Sequence, residues 1–220
     1  MLSLPDPQFL YCERTGAGFF NEPLNVMASA VFLVVAWLLW VDYKKTRMKY
    51  DEERLTLIVL ITLTGMGGMF LHATANRLGI YAELVPLSLF LVFVLYVTLQ
   101  RLIGIGVTPA LLLVLGLAVI CGLTRNIPNP YRFHDLVAWF PILGALMLIT
   151  WRLRRMRQAA APGFLKITGL IAVSIMLRFV DGAVCSWLPA GTYFLGEICA
   201  GMALYLMVRT IRERRHANRT

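Results

Sequence analysis

Four apolar stretches of this chain carry ionisable residues of kinds that lipid-buried helices mostly exclude. His72 closes GMGGMFLH, Glu83 follows in YAELVPL, Asp181 interrupts LRFVDGAVC, and Tyr193 and Glu197 stand four apart in GTYFLGE. Such groups carry protons or charge, and inside lipid they are costly unless they line a cavity or pair with one another. Tyr193 and Glu197, at i and i+4, share one helix face. Each residue taken singly has a simpler reading. His72 could be an interfacial side chain, and Arg178 and Asp181, three apart, a self-neutralising pair. Glu197 could be a protonated group bonded to backbone. Together they point to a functional cavity.

The elements that must position them are membrane helices. Of 220 residues, 59% are apolar and 15% charged, which excludes an ordinary soluble domain. A helix needs about 20 mostly apolar residues to cross a bilayer. Seven stretches qualify: Asn25–Val41, Leu55–Leu71, Leu78–Gln100, Pro109–Leu123, Asp135–Trp151, Leu165–Leu188 and Gly191–Arg209. They lack the alternation of a membrane barrel. The expected fold is an all-α bundle of seven transmembrane helices filling one domain, 1–220.

The net charge of +9 is spread unevenly. Basic residues crowd the connections after the first, third and fifth spans and the tail after the seventh, from Lys44 and Arg101 to Arg152 and Arg209. The alternate side holds only Arg14, Arg77, Arg125 and Arg132. By the positive-inside rule the amino terminus lies outside and the carboxyl terminus in the cytoplasm. Residues 1–24 then form an outer segment and 210–220 a basic tail set against anionic lipid, with no nucleic-acid partner expected. No stretch resembles a cleavable signal peptide, so the first span is expected to act as its own insertion signal.

This topology puts His72, Glu83, Asp181, Tyr193 and Glu197 at one outer depth, beside the amino-terminal Glu13, Glu22 and Asn25. Gly65, Gly67 and Gly68 leave room before His72 for a close helix or a ligand. Cys12 and Cys185 both face the outer compartment, where a disulfide between them would persist. Cys121 and Cys199 lie within spans, as packing residues.

The stretches YCERTGAGFFNEPLN, GMGGMFLHATANRLGIYAELVPL and RFVDGAVCSWLPAGTYFLGE follow the order and spacing of the alkaline ceramidase family. The chain resembles a bacterial member of it, within the seven-span hydrolases that include the progestin and adipoQ receptors. The resemblance covers nearly the whole chain. It implies hydrolysis of ceramide or a related lipid amide, in a bacterial inner membrane with the site facing the periplasm. It also implies zinc held by three histidines, one ending the second span and two in an H-x-x-x-H opening the seventh. Three such ligands leave a fourth position for a water made acidic by the metal. A serine and an acidic residue assist in the family, and an acidic amino-terminal segment is similar to one that binds calcium.

Residue by residue, the match is partial. His72 takes the first zinc position, while the other two fall on Tyr193 and Glu197. Glu197 is a reasonable ligand; Tyr193 is a poor one, since its phenol ionises only near pH ~10. Glu83 takes the acidic position and offers itself as a replacement ligand, with Asp181 left to handle protons. His134 is a remote further candidate. The serine position is Gly68. Glu13, Glu22 and Asn25 match the calcium-like segment, where Leu10 replaces an aspartate. Two functions follow as expectations: a metal-dependent amidohydrolase, or a catalytically inactive relative that binds lipid or a protein partner. A transporter or receptor has less support, because no paired broken helices occur.

Overall fold

A computed structural model describes residues 11–16, 19–45, 52–124 and 136–217. Leu10 and His134 lie outside the described residues. Those described form seven α-helices and no strand: α1 (Pro23–Lys45), α2 (Glu52–Thr74), α3 (Arg77–Thr98), α4 (Val107–Leu123), α5 (Trp139–Arg155), α6 (Ala161–Val184) and α7 (Tyr193–Ala217). A π-helical turn, Leu99–Ile103, extends α3, and a 3-10 turn, Leu136–Ala138, leads into α5.

Five helices, α1, α2, α3 with its π turn, α6 and α7, are long and apolar enough to cross a membrane. The other two, α4 and α5, have 17 residues each. At 1.5 Å per residue they reach about 25 Å, short of a hydrocarbon core of about 30 Å. Most elements run a few residues beyond the expected spans. The fifth and sixth are displaced, α5 starting at Trp139 rather than Asp135 and α6 running Ala161–Val184 rather than Leu165–Leu188, and the seventh starts at Tyr193 because Gly191 turns the chain.

Local signals set the helix starts. Pro23 opens α1, where its missing N–H costs nothing. Glu13 accepts from the free N–H groups of Leu24 (2.6 Å) and Asn25 (3.0 Å). Asn76 caps α3 by accepting from Gly79 N–H at 2.7 Å, and acidic Glu52 and Glu53 sit in the first turn of α2, where the helix dipole favours them. Lys44 and Lys45 end α1, and Arg152, Arg154 and Arg155 end α5. That same end of the bundle is tied by Arg54–Asp42 (2.6 Å) and Arg101–Glu53.

Helix α1 packs between α2 and α7, α2 against α3, and α6 between α5 and α7. The core between them contains Phe32, Leu39, Ile61, Phe90, Leu146, Phe164 and Leu204. Gly67 permits the α2–α3 contact, since a Cβ there would lie 2.1 Å from the Ala82 carbonyl oxygen. The outward faces are as apolar as the core. Trp37, Met66, Leu112, Leu148 and Met176 are all more than half exposed, a pattern that water would penalise and lipid does not. The protein is membrane-embedded and all-helical.

Candidate functional site

The end of the bundle where α2 closes and α3 and α7 open is crossed by the amino-terminal segment. Three ties hold that segment down. Cys12 and Cys185 form a disulfide with Cα atoms 5.2 Å apart. Phe20 N–H donates to the Ala73 carbonyl at 3.2 Å. Arg14 buries its guanidinium, bonding Glu22, the Gly16 carbonyl and the His72 carbonyl at 2.9 Å.

Glu22 is the hub of this layer and is only 1% exposed. One oxygen pairs with Arg14; the other accepts from His72 Nδ1 at 2.6 Å and Asn25 Nδ2 at 3.1 Å. Burial by itself would raise its pKa. The hydrogen bond and charge of His72, then the bonds from Arg14 and Asn25, outweigh burial and hold the carboxyl below its usual range. Because a carboxylate only accepts, His72 must carry its proton on Nδ1. Its Nε2 is thereby turned toward the bundle, buried and without a partner.

Across from His72, α6 and α7 contribute an arginine-centred pair. Arg178 donates from Nη2 to Glu197 Oε1 at 2.6 Å and from Nη1 to the Tyr193 hydroxyl at 3.0 Å. Its guanidinium also stacks 4.7 Å from the Tyr193 ring centre and 5.7 Å from that of Trp139. Glu197 is fully buried, and its second oxygen has no partner. The one-turn spacing of Tyr193 and Glu197 lets a single guanidinium reach both. The Arg178–Asp181 pair, the simpler alternative reading of these two residues, does not form. Residues three apart on α6 diverge enough that Arg178 faces α7 while Asp181 faces the chain entering it.

Tyr11 closes the cluster, 4.0 Å from the Tyr193 ring and 5.2 Å from that of His72. Burial is the main cause pushing its phenol well above the usual value, so it acts as a neutral hydrogen-bonding group. Glu83 enters from α3, half-buried and in electrostatic range of Glu197, His72 and Arg178. The position of Gly68 is telling: a Cβ there would lie 2.9 Å from Ser29 Oγ and 3.6 Å from the Glu83 carboxyl carbon. The buried Ser29 hydroxyl, itself unpartnered, thus stands beside Gly68, the position to which the expected resemblance assigned a serine.

Asp181 is occupied by backbone. It accepts from Thr192 N–H (2.7 Å), Tyr193 N–H (2.9 Å) and Cys12 N–H (3.1 Å). It therefore caps α7 and anchors the amino-terminal segment. Gly191 allows this approach, with φ +64° and Asp181 Oδ1 only 2.1 Å from where a Cβ would stand.

The two expected ions fit differently. Calcium takes six to eight oxygen ligands. Yet Glu13 is spent on helix N–H groups, and Glu22 on Arg14, His72 and Asn25, so the described residues do not suit it. Toward zinc, His72 Nε2 and Glu197 Oε2 are buried atoms lacking a partner, and Glu22 supports His72 as a carboxylate supports a ligating imidazole. Tyr193 and the other Glu197 oxygen are held by Arg178. Among the described residues no three His, Cys, Asp or Glu side chains are grouped closely enough to hold a metal. As arranged, the set supplies two ligands and lacks a third.

The sequence reading singled out His72, Glu83, Tyr193 and Glu197, and these come together. It missed Tyr11, Arg14 and Ser29. Arg14 had a signal, a cation between two acidic residues in CERTGAGFFNE; Tyr11 and Ser29 had none. Compared with protein-family models and with curated proteins, the chain matches none.

Proposed function

We propose that this chain is a ceramidase-like seven-span membrane protein that binds the polar head of a lipid amide in its buried cluster without hydrolysing it. The amino terminus and cluster face the periplasm of a bacterial inner membrane and the basic tail faces the cytoplasm, as the charge distribution favours. The observation that carries the reading is Arg178 bridging Tyr193 and Glu197, the two positions where the family pattern has zinc-binding histidines. The guanidinium already compensates the Glu197 charge and holds the Tyr193 hydroxyl. Around it, the unpartnered atoms Arg178 Nε, Glu197 Oε2, His72 Nε2 and Ser29 Oγ offer both donors and acceptors. An amide head with adjoining hydroxyls supplies the complementary set, relieving a penalty of about 1–3 kcal/mol per unsatisfied group.

The second reading is a metal-dependent lipid amidohydrolase, with His72 and Glu197 as ligands and Glu83 as third ligand or proton carrier. It is favoured by the two unpartnered ligand atoms and by Glu22 behind His72. One experiment separates the two. Purified protein is loaded with zinc, analysed for bound metal, and incubated with fluorescent ceramide. Binding readings predict saturable ceramide retention without bound zinc or product. Stoichiometric zinc with turnover abolished by His72→Ala would replace the first reading with the second.

A further inference from the structure

We propose that the groove between α3, α4 and α5 is a binding site for a phospholipid with an anionic head group, independent of the buried cluster. The groove has a volume of about 950 Å³, at the upper end of the usual range for ligand sites. Its α3 wall is a single stripe, Arg77, Tyr81, Leu84, Ser88, Leu91 and Leu95, at alternating spacings of four and three that keep one helix face toward the groove. Opposite stand Ala118 of α4 and Trp139 of α5. The helix α4 stands off from the bundle, burying only Ala110 and Val114, which leaves the groove open toward lipid.

Chemistry changes along its length. The deep end is hydrocarbon. The mouth, at the end of the bundle holding the cluster, carries the exposed Arg77, with no ion-pair partner among the described residues, and the Tyr81 ring, 55% exposed. A cation and an aromatic at the head-group level over an apolar channel match a phosphate above an acyl chain. From Tyr81 to Leu95 the stripe descends about 21 Å, enough for a chain spanning one leaflet, about 15 Å of hydrocarbon. Glu83, the one carboxylate on α3, turns away toward Gly68, so among the described residues of α3 the charge at the mouth is that of Arg77. The Trp139 ring lines the groove and also faces Arg178, while Arg178, Tyr193, Glu197 and His72 are not among the groove's lining residues.

The full chain is reconstituted in nanodiscs of equal phosphatidylglycerol and phosphatidylcholine, released, and weighed by native mass spectrometry. The expected result is one retained lipid, with phosphatidylglycerol favoured about fivefold, as one basic residue at a membrane surface provides. Arg77→Gln should erase that preference. Ala118→Trp and Ser88→Trp, at exposed positions, should expel the lipid while leaving the melting temperature unchanged. Excess ceramide should leave phosphatidylglycerol retention intact, so failure of the cluster reading would not imitate failure here. Equal retention of both lipids by wild type, a preference surviving Arg77→Gln, or retention surviving both tryptophans would overturn the proposal. So would a second copy of the chain occupying the groove in place of lipid.

Discussion

Arg178 and Glu197 form a buried ion pair, with Arg178 Nη2 2.6 Å from Glu197 Oε1. Arg178→Gln strands a fully buried carboxylate and should cost about 3–5 kcal/mol of stability in detergent, read by thermal unfolding. Arg178→Met with Glu197→Leu should recover most of that loss, because removing both charges also removes their desolvation cost. A double variant as unstable as the single would show that the pair matters through packing. Glu22 contributes an acid-side pH dependence. Its carboxyl is depressed in the folded protein, so its contribution is complete above the ordinary value of 4.5 and fades as pH falls below it through the folded value. Glu22→Gln should flatten stability across that acidic window, whereas an unchanged profile would assign the dependence elsewhere. His72 and Glu197 were legible as residues out of place in lipid. Their partners were not, since Glu22 precedes His72 by 50 positions and Arg178 precedes Glu197 by 19.

At the scale of elements, Asp181 adds a fourth tie to the three that hold the amino-terminal segment. Asp181 joins that segment, the Gly191 turn and the first turn of α7 through three backbone N–H groups. With charged hydrogen bonds worth about 1.5–3 kcal/mol each, Asp181→Ala should destabilise by several kcal/mol. It should also speed reduction of the Cys12–Cys185 disulfide by dithiothreitol, followed by alkylation and mass mapping. Unchanged reduction would mean that the segment is anchored without Asp181. Asp181→Asn should retain part of the effect, since the amide oxygen still accepts. Helix positions followed from hydrophobic runs, but the displaced start of α5 and the late start of α7 did not. The first depended on a 3-10 turn at Leu136–Ala138, the second on a glycine whose positive φ and missing side chain admit Asp181.

For the molecule as a whole, the short helices α4 and α5 make the number of crossings the open quantity to measure. Reporter fusions after Gly104 and after Thr124 should lie on opposite sides of the membrane, the first cytoplasmic with the basic tail. The same side for both would mean that α4 does not cross. Composition and charge placement alone determined the solvent, the helical class and the expected orientation, because each depends on sums over many residues that no single contact can reverse. The polar cluster also announced itself, because an ionisable group in a lipid-buried stretch is conspicuous wherever its partner lies. Only the tertiary structure decided what each group does: Arg178 turned to Glu197 and away from Asp181, Glu22 took both Arg14 and His72, and Asp181 became a helix cap. Those choices rest on distances of a few ångströms between helices far apart in sequence, where hydrogen-bond geometry selects one partner among several of the right charge.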